Sequence, residues 1–458
     1  MTIAPRYDVA IIGAGQAGLP LANGLALRGK RVALIERKHL GGSCINFGCT
    51  PTKAAIASAR LAHLARRGRE FGLHIPEVTV DFAAVIERAR NVAAASRNTL
   101  EQWLGSVENP TLLRGQGRLA GRAADGFHIR VGETELTAGD VVLNTGTRSV
   151  FPPIDGLADI AVIHAGNWLE HKELPRHLAI IGSGAIGLEM GQFYRRMGAA
   201  VTVLEAADRI AGHEDADIAS AMQRLLEEDG IRFHLKSAIA RVRKTADGVV
   251  VEFGGGAAPL AASHLFVATG RKPNTDDLGL ESVGLAVERH GIIAVDARLA
   301  TSVPGLWVGG DIRGGPQFTH TSWDDHRVLL SQLAGDGKRT TKRIVPYAIF
   351  TDPELGRVGL TETQARQAGR AIKVARFAMA QNGKAAEIGE TQGEIKLVVD
   401  AASGEILGAA ILAAEAAELV HIYIDAMNAG APYHEIANAV FIHPTLAEAV
   451  QSATLELD

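Results

Sequence analysis

Residues 13–18 read Gly13-Ala14-Gly15-Gln16-Ala17-Gly18, and residues 182–187 read Gly182-Ser183-Gly184-Ala185-Ile186-Gly187. Each run is entered from an apolar stretch (residues 9–12 and 178–181) and followed by a helical pattern. A second apolar strand comes next, over residues 31–35 in one copy and 200–204 in the other. These strands end in Glu36 and Glu205, each 23 positions after the first glycine of its run. A lone glycine turn carries little information. Strand, glycine turn, helix, strand and acidic end in that order predict a βαβ unit that binds a dinucleotide. The glycines let the backbone approach a pyrophosphate at the helix N-terminus, and the carboxylate accepts hydrogen bonds from ribose hydroxyls. Taken alone, either glutamate reads as a solvated strand end. Two complete units predict two dinucleotides.

The second unit also bears on cofactor choice. Glu205 repels a 2′-phosphate, its next two neighbours are Ala206 and Ala207, and Arg209 is displaced. NADH is therefore favoured over NADPH. Two pairs, Thr145-Gly146 and Thr269-Gly270, close strands read at residues 141–145 and 265–269, where the chain returns between domains. A turn and a short buried strand over residues 301–308 lead to Gly309-Gly310-Asp311. An aspartate just past a buried strand needs a partner, which a flavin ribityl or phosphate-side hydroxyl, or a water, supplies.

The only two cysteines of the chain lie five apart in Gly41-Gly42-Ser43-Cys44-Ile45-Asn46-Phe47-Gly48-Cys49-Thr50-Pro51-Thr52-Lys53. Free cysteine is among the most buried residue types, so two unrelated core thiols are the plain alternative. Their clustering favours a redox pair that opens and closes a disulfide. Five residues of regular helix rise about 7.5 Å, whereas bridged cysteines keep their Cα atoms within about 4.4–6.8 Å. The pair thus needs an irregular turn, which Gly41, Gly42 and Gly48 permit. Pro51 suits the first turn of a helix beginning near Cys49 and continuing through the alanine-rich residues 53–64. A thiol at that N-terminus is biased toward thiolate.

The 458 residues carry a net charge of -4 in short, mixed runs, which argues against a nucleic-acid partner. No stretch approaches about 20 apolar residues, and the N-terminus lacks a signal-peptide layout. The expectation is a soluble cytoplasmic protein without a membrane partner, and in that compartment a lone cysteine pair is more often catalytic than structural. From about residue 345 the glycine runs give way to strands (residues 396–399 and 407–412) and amphipathic helices. Near the end stands Phe441-Ile442-His443-Pro444-Thr445-Leu446-Ala447-Glu448. A histidine before proline is commonly a turn residue, but Glu448 could orient its imidazole and raise its basicity. The other fifteen histidines show no metal-ligand spacing, and no metal site is expected.

Together these motifs resemble the class I pyridine nucleotide-disulfide oxidoreductases over essentially the whole chain, residues 41–53 and 443–448 being the most specific. The resemblance implies an α/β fold with two Rossmann-like dinucleotide-binding domains, for FAD and NAD, plus a C-terminal α+β dimerisation domain. The implied domains are FAD-binding (1–147), NAD(P)-binding (148–272), the second part of the FAD-binding or central domain (273–344) and the interface domain (345–458). FAD is then held by Gly13, Gly15, Gly18, Glu36, Gly42, Ser43, Lys53, Gly117, Thr145, Gly146 and Asp311. NADH is held by Gly182, Gly184, Gly187, Glu205 and Gly270. Cys49 matches the thiol that forms a charge-transfer complex with the flavin, and Cys44 the interchange thiol that meets substrate. Lys53 pairs with Glu189. His443 acts as base toward Cys44 of the other subunit, with Glu448 behind it, so that a homodimer is required.

Within the family the chain looks closest to the mercuric reductase-like and reactive-chlorine-resistance reductases, through Gln16, the Cys-Thr-Pro-Thr-Lys ending and residues 315–320. The expected activity is NAD(P)H-dependent reduction of a small disulfide or dithiol substrate. Alternatives are reduction of a metal ion, Hg(II) or Cu(II), and a dihydrolipoyl dehydrogenase component of a larger complex. Departures bear on substrate: the accessory cysteines of mercuric reductases are absent, His-Pro-Thr stands where those enzymes carry a tyrosine, and Ala185 takes the place of an aromatic gate over the nicotinamide pocket.

Overall fold

The computed structural model describes residues 5–457. Strand β1 (Arg6–Ile12), helix α1 (Gly18–Ala26) and strand β2 (Val32–Glu36) form the first predicted unit, with β1 and β2 parallel. Helix α1 is buried at eight of its nine positions, which accounts for its lack of a polar face. Pro20 is tolerated there because first-turn amides have no intrahelical partner. The cysteine segment follows as α2 (Gly42–Asn46) and α3 (Cys49–Arg66), then α4 (Phe82–Gly105) and β3 (Pro110–Arg114). An antiparallel meander, β4 (Gly117–Ala123), β5 (Gly126–Val131) and β6 (Thr134–Leu143), completes the layer in the order β3-β2-β1-β6-β5-β4. Because β1 pairs in parallel with both β2 and β6, the strand order reverses beside it. The turn of residues 13–18 emerges at that switch point, where open α/β sheets bind ligands.

The second unit begins after a short strand β7 (Thr147–Ser149). It comprises β8 (Ile163–His164), β9 (His177–Ile181), α5 (Ala185–Met197), β10 (Ala200–Leu204), α6 (Ala216–Glu228) and β11 (Ile231–His234). A three-stranded antiparallel layer, β12 (Ile239–Thr245), β13 (Gly248–Phe253) and β14 (Leu260–Ala262), precedes β15 (His264–Val267). Its parallel sheet runs β11-β10-β9-β15-β8. Such a sheet is covered on both faces at its centre, hence the short apolar runs of β9, β10 and β15. Strand β16 (Arg271–Pro273) then pairs antiparallel with β7, so the chain leaves and re-enters the first layer through one ribbon. The strands read at 141–145 and 265–269 both stop two residues early. There the Asn144, Thr145 and Thr269 side chains bond to the Gly309, Asn274 and Val150 carbonyls.

Strand β17 (Leu306–Val308) rejoins the first sheet beside β6, and α7 (Thr319–Ala334) packs on α1. The remaining elements are β18 (Tyr347–Ile349), β19 (Glu354–Gly359), α8 (Glu362–Gln367), β20 (Ile372–Ala378), α9 (Gly383–Glu387), β21 (Glu394–Asp400), β22 (Ile406–Ala413), α10 (Ala416–Ala429), α11 (Tyr433–Ala437) and α12 (Ala447–Leu455). The five strands form one antiparallel sheet, β18-β19-β22-β21-β20. All eight residues of the central β22 are buried. At about 1.5–3 kcal/mol per large aliphatic side chain, that strand and its neighbours anchor the third layer. The α/β class expected from the sequence, with two parallel dinucleotide-type units and an α+β third part, is the one observed. Among the described residues no helix is long and apolar enough to cross a membrane.

The nucleotide-type second unit is tied to the third layer by buried charge. Lys396 on β21, 2% exposed at its side chain, reaches Asp215, Asp217 and Glu362 at 2.9, 2.8 and 2.9 Å. Asp215 precedes α6, yet its carboxylate caps α8 instead, accepting the amides of Glu362 and Thr363 at 2.9 and 3.1 Å. Nearby, Arg196 bridges Asp229 and Asp352.

Candidate active site

The cysteine segment is two helices with a break, as the spacing requires. Gly41 and Gly42 take φ of +87° and +61°, the left-handed region that glycine enters without strain, and launch α2. Phe47 and Gly48 then interrupt the helix so that α3 starts afresh at Cys49. The break is pinned: Trp168 Nε1 donates to the Phe47 carbonyl at 2.8 Å, and a Cβ on Gly48 would meet Ser43 O at 2.9 Å. Both cysteines are free thiols, Cys44 half-buried and Cys49 exposed. Cys49 Sγ lies 3.3 Å from Thr319 Oγ1 at the first turn of α7.

The two thiols are electrostatically unequal. A hydrogen bond from the Cys44 thiol is the main influence holding Cys49 down to about 6. Burial opposes it, while the Thr319 hydroxyl and the Lys53 charge add to it. The same thiol–thiol bond, together with burial, pushes Cys44 far up. These opposed shifts favour Cys49 over Cys44 as the ionised member of a reduced pair.

Lys53 sits four residues beyond Cys49, one turn along α3. Its Nζ lies 2.7 Å from Glu189 Oε2 on α5 and 4.4 Å from the centre of the Phe350 ring. Glu189 Oε1 accepts the Phe350 amide at 2.9 Å. One buried carboxylate therefore joins the cysteine helix, the second nucleotide-type unit and the third layer.

The two glycine turns have the same local construction. A Cβ on Gly18 would meet Gly13 O at 2.0 Å, and one on Gly187 would meet Gly182 O at 2.1 Å. Gly13 and Gly182 have φ of +108° and +101°, and each also abuts backbone of the neighbouring strand end. Gly15 faces Asn144 Oδ1, and Gly184 is exposed with nothing near its Cβ direction. Bare backbone at a helix N-terminus fits the pyrophosphate of a dinucleotide, so both turns could hold one. Glu36 and Glu205 each clamp their turn from the end of the second strand. Glu36 accepts Ala14 N at 2.9 Å and Lys38 N at 2.7 Å. Glu205 accepts Ser183 N, Ser183 Oγ and Ala207 N at 2.9, 2.6 and 2.8 Å. Burial pushes Glu205 up, and these bonds more than offset it, so it stays ionised. The carboxylates expected to serve ribose hydroxyls thus also fix the turns.

Around the first turn, Gly42 lies against the Gly15 backbone, and Ser43 Oγ accepts from Arg271 at 3.2 Å. Thr145 Oγ1 donates to Asn274 O, Gly146 turns at φ +65°, and Gly270 at φ +109° accepts the Val150 amide. These three residues shape the β7–β16 ribbon. Gly117 opens β4 and packs against Ile12 and Ile35, a place in the sheet interior, because a Cβ there would meet both side chains near 3 Å. Asp311 follows β17. Burial pushes its carboxyl up, with Arg271 at 3.9 Å and the Ser322 and Thr147 hydroxyls at 3.3 Å opposing. A buried carboxylate with only long hydrogen bonds is suited to accept further hydroxyls.

His443 stands apart from the thiols. Its Nδ1 lies 3.0 Å from Glu448 Oε1, and Glu448 Oε2 accepts Thr445 N at 2.8 Å, which holds that carboxylate below its usual range. Within one chain the imidazole bonds to neither cysteine. It is exposed, and flanked by Val440 and Ile442 at 100% and 79% exposure.

Several site residues carry no motif. Asn144 accepts Gly18 N at 2.9 Å and donates to Gly309 O at 2.8 Å, joining the first turn to the Gly-Asp loop. Asp325, fully buried, accepts Gly310 N at 2.8 Å and binds Arg313 and Arg343. Thr319 lies in the run noted at residues 315–320, but only folding shows that it touches Cys49. The one available signal for Asn144 was a polar residue at the end of an otherwise apolar strand.

Family comparison agrees with this construction. The pyridine nucleotide-disulphide oxidoreductase model matches residues 7–325, and the dimerisation domain of that family matches residues 345–454. The chain is 36% identical over 450 residues to the probable pyridine nucleotide-disulfide oxidoreductase RclA of Escherichia coli, covering 97% of this chain and 98% of that one. It is 34% identical over 466 residues to a dihydrolipoyl dehydrogenase of Cupriavidus necator, covering 99% and 98%. A solved structure described as the HOCl-induced flavoprotein disulfide reductase RclA from Escherichia coli superposes with a TM-score of 0.91 at 35% identity, over 99% of this chain and all of that one. Its Cu(II) complex gives 0.90 at 35% identity, over 98% of this chain and all of that one. The chain belongs to the class I pyridine nucleotide-disulfide oxidoreductases, flavoproteins that work with FAD and NAD(P)H.

Proposed function

We propose that this chain is an NADH-dependent disulfide reductase, working as a cytoplasmic homodimer on a small disulfide. The observation that carries the reading is the unequal thiol pair, a low-pKa Cys49 beside a donor Cys44, one helical turn from the Lys53–Glu189 pair. The turn of residues 13–18, Glu36, Asn144 and Asp311 would hold FAD, and the turn of residues 182–187 with Glu205 would hold NADH. When bound, FAD supplies the two-electron relay between the nicotinamide and the cysteine disulfide. Glu205, followed by Ala206 and Ala207, disfavours a 2′-phosphate.

The remaining chemistry belongs to the side chains. His443 of the partner subunit takes the Cys44 proton, and Glu448 stabilises the resulting imidazolium. The Cys44 thiolate attacks one sulfur of the substrate disulfide, forming a mixed disulfide and releasing one thiol that collects the proton from His443. The Cys49 thiolate then attacks Cys44 sulfur, closing Cys44–Cys49 and expelling the second thiolate, which takes its proton from solvent. Until that step the Lys53 charge is one of the groups that favour the Cys49 thiolate.

The FAD-loaded dimer should release two thiols per NADH from oxidised glutathione, lipoamide or another small disulfide. Cys44→Ala should abolish that release; undiminished thiol release in this variant would overturn the reading. The Cu(II) complexes of the Escherichia coli relative, one of them of a cysteine-to-serine mutant, favour a second reading, in which Cu(II) is the electron acceptor. NADH-dependent appearance of Cu(I), lost together with Cys44, supports it. Cu(I) formation untouched by Cys44→Ala removes the thiols from that reaction.

A further inference from the structure

We infer that Trp323 is a specificity-determining residue for the disulfide substrate, a platform against which that substrate lays a flat aromatic arm. The inference rests on the disulfide-reductase reading and names the class of disulfide that the site takes. Helix α7 starts at the thiol pair, since Thr319 Oγ1 in its first turn stands 3.3 Å from Cys49 Sγ. Residues four apart on a helix stand one above the other, about 6 Å along the axis. Trp323 is four residues beyond Thr319, so it shares the side of α7 that meets the thiols, one turn farther out. Cys49, at the inner end of that side, is itself exposed.

The surroundings of the indole hold it in place and leave it open. Trp323 is 46% exposed, although a ring of this size usually gains most by burial. The His326 ring stands edge-to-face with it, centres 4.7 Å apart at 76°, which fixes the tilt of the indole. Burial is the main cause holding that imidazole below its usual range, so at neutral pH it meets the indole uncharged. His320, three residues before Trp323 and also exposed, presents a second flat ring, stacked on Phe318 at 5.2 Å. The charges beside the platform are paired. Arg327, one turn beyond Trp323, meets Asp324 at 3.3 Å, and Asp324 also takes Arg339 and Arg343 at 2.8 and 2.6 Å. Paired charges and two aromatic rings on one side of the helix favour a flat, uncharged arm held by ring contact. The attack on the substrate sulfur is unchanged; the platform acts on binding.

The test compares two uncharged disulfides in the FAD-loaded enzyme, 4,4′-dithiodipyridine with aromatic arms and bis(2-hydroxyethyl) disulfide without them. Steady-state turnover with NADH gives kcat/KM for each, and the ratio of the two measures selectivity for the aromatic arm. Trp323→Ala should lower that ratio about five- to tenfold, the loss expected for one aromatic contact. Trp323→Phe, which keeps a ring, should hold the ratio within about twofold of the parent. A folding defect moves both substrates together and leaves the ratio alone. A ratio unmoved by alanine, or an equal fall with phenylalanine, therefore overturns the inference. An alanine variant that elutes as a monomer where the parent is a dimer assigns the ring to subunit contact and also overturns it. A parent that turns over neither disulfide instead sinks the disulfide-reductase reading, and the inference with it.

Discussion

Asn144 joins Gly18 to the opposite side of the first nucleotide-type site: its Oδ1 takes the Gly18 amide at 2.9 Å while its Nδ2 donates to the Gly309 carbonyl at 2.8 Å. Gly18 is the first residue of α1, so its amide has no partner inside the helix. Asn144→Ala strands two buried backbone groups, at about 1–3 kcal/mol each. The purified variant should lose bound FAD on gel filtration and unfold at lower urea concentration. Unchanged flavin content would show that the Gly-Asp loop holds its place without this link.

Lys53 and Glu189 form a pair whose carboxylate is buried and whose ammonium is one-third exposed. Lys53→Met leaves Glu189 with only the Phe350 amide and should destabilise the protein by about 2 kcal/mol or more, less than for a fully buried pair because solvent reaches the lysine. A Lys53→Met, Glu189→Gln double variant should recover most of that loss. The cycle is read by urea unfolding, and strict additivity of the two single changes would refute the coupling.

Acid should release the clamp between the second unit and the third layer. Asp215 is pushed up by burial, but bonds from Thr363 and Lys396 outweigh this and hold it well below the usual carboxylate range. Asp217 behaves likewise, and Glu362 is lowered chiefly by Lys396. Carboxylates lowered by folding stabilise the native state above their unfolded values, near 4, and lose that contribution as pH falls through the folded ones. Stability measured by urea midpoint should therefore decline below about pH 4. Lys396→Met should cost about 3–5 kcal/mol at neutral pH and flatten that decline; a full-sized acid slope in the variant would assign the effect elsewhere.

His443→Gln should lower disulfide turnover by roughly 10²–10⁴-fold, the usual worth of general acid–base assistance. Flavin reduction by NADH should stay within a small factor of the parent in stopped-flow. Glu448→Ala should produce a smaller loss, because the imidazole itself remains and the Thr445 hydroxyl still closes its loop on the Ile442 carbonyl at 2.8 Å. Equal losses in both half-reactions would argue that His443 is structural.

The fold was readable because its decisive instructions are local. Gly13 to Glu36 and Gly182 to Glu205 spell a whole βαβ unit within two dozen residues, and the cysteine segment states its own broken helix through Gly41, Gly42 and Gly48. Residues whose meaning lies in distant partners were not readable. Asn144 meets Gly18 across 126 positions, and Lys396 meets Asp215 across 181. Nothing around Lys396 distinguishes it from a surface lysine on an alternating strand until the layers close on it. Asp325, in a polar stretch of α7, is silent for the same reason. Gly117 shows the converse: a glycine assigned to the cofactor by resemblance has a sufficient packing reason in Ile12 and Ile35.

The segment that bears His443 also bears Val440 and Ile442, which the described residues of one chain leave 100% and 79% exposed. If His443 serves the partner's thiols, as proposed, an isolated subunit would be at once inactive and adhesive. Under the dimer reading, catalytic competence and colloidal solubility become one property governed by protein concentration. Dilution below the dissociation constant would silence the enzyme and expose a nucleus for aggregation together.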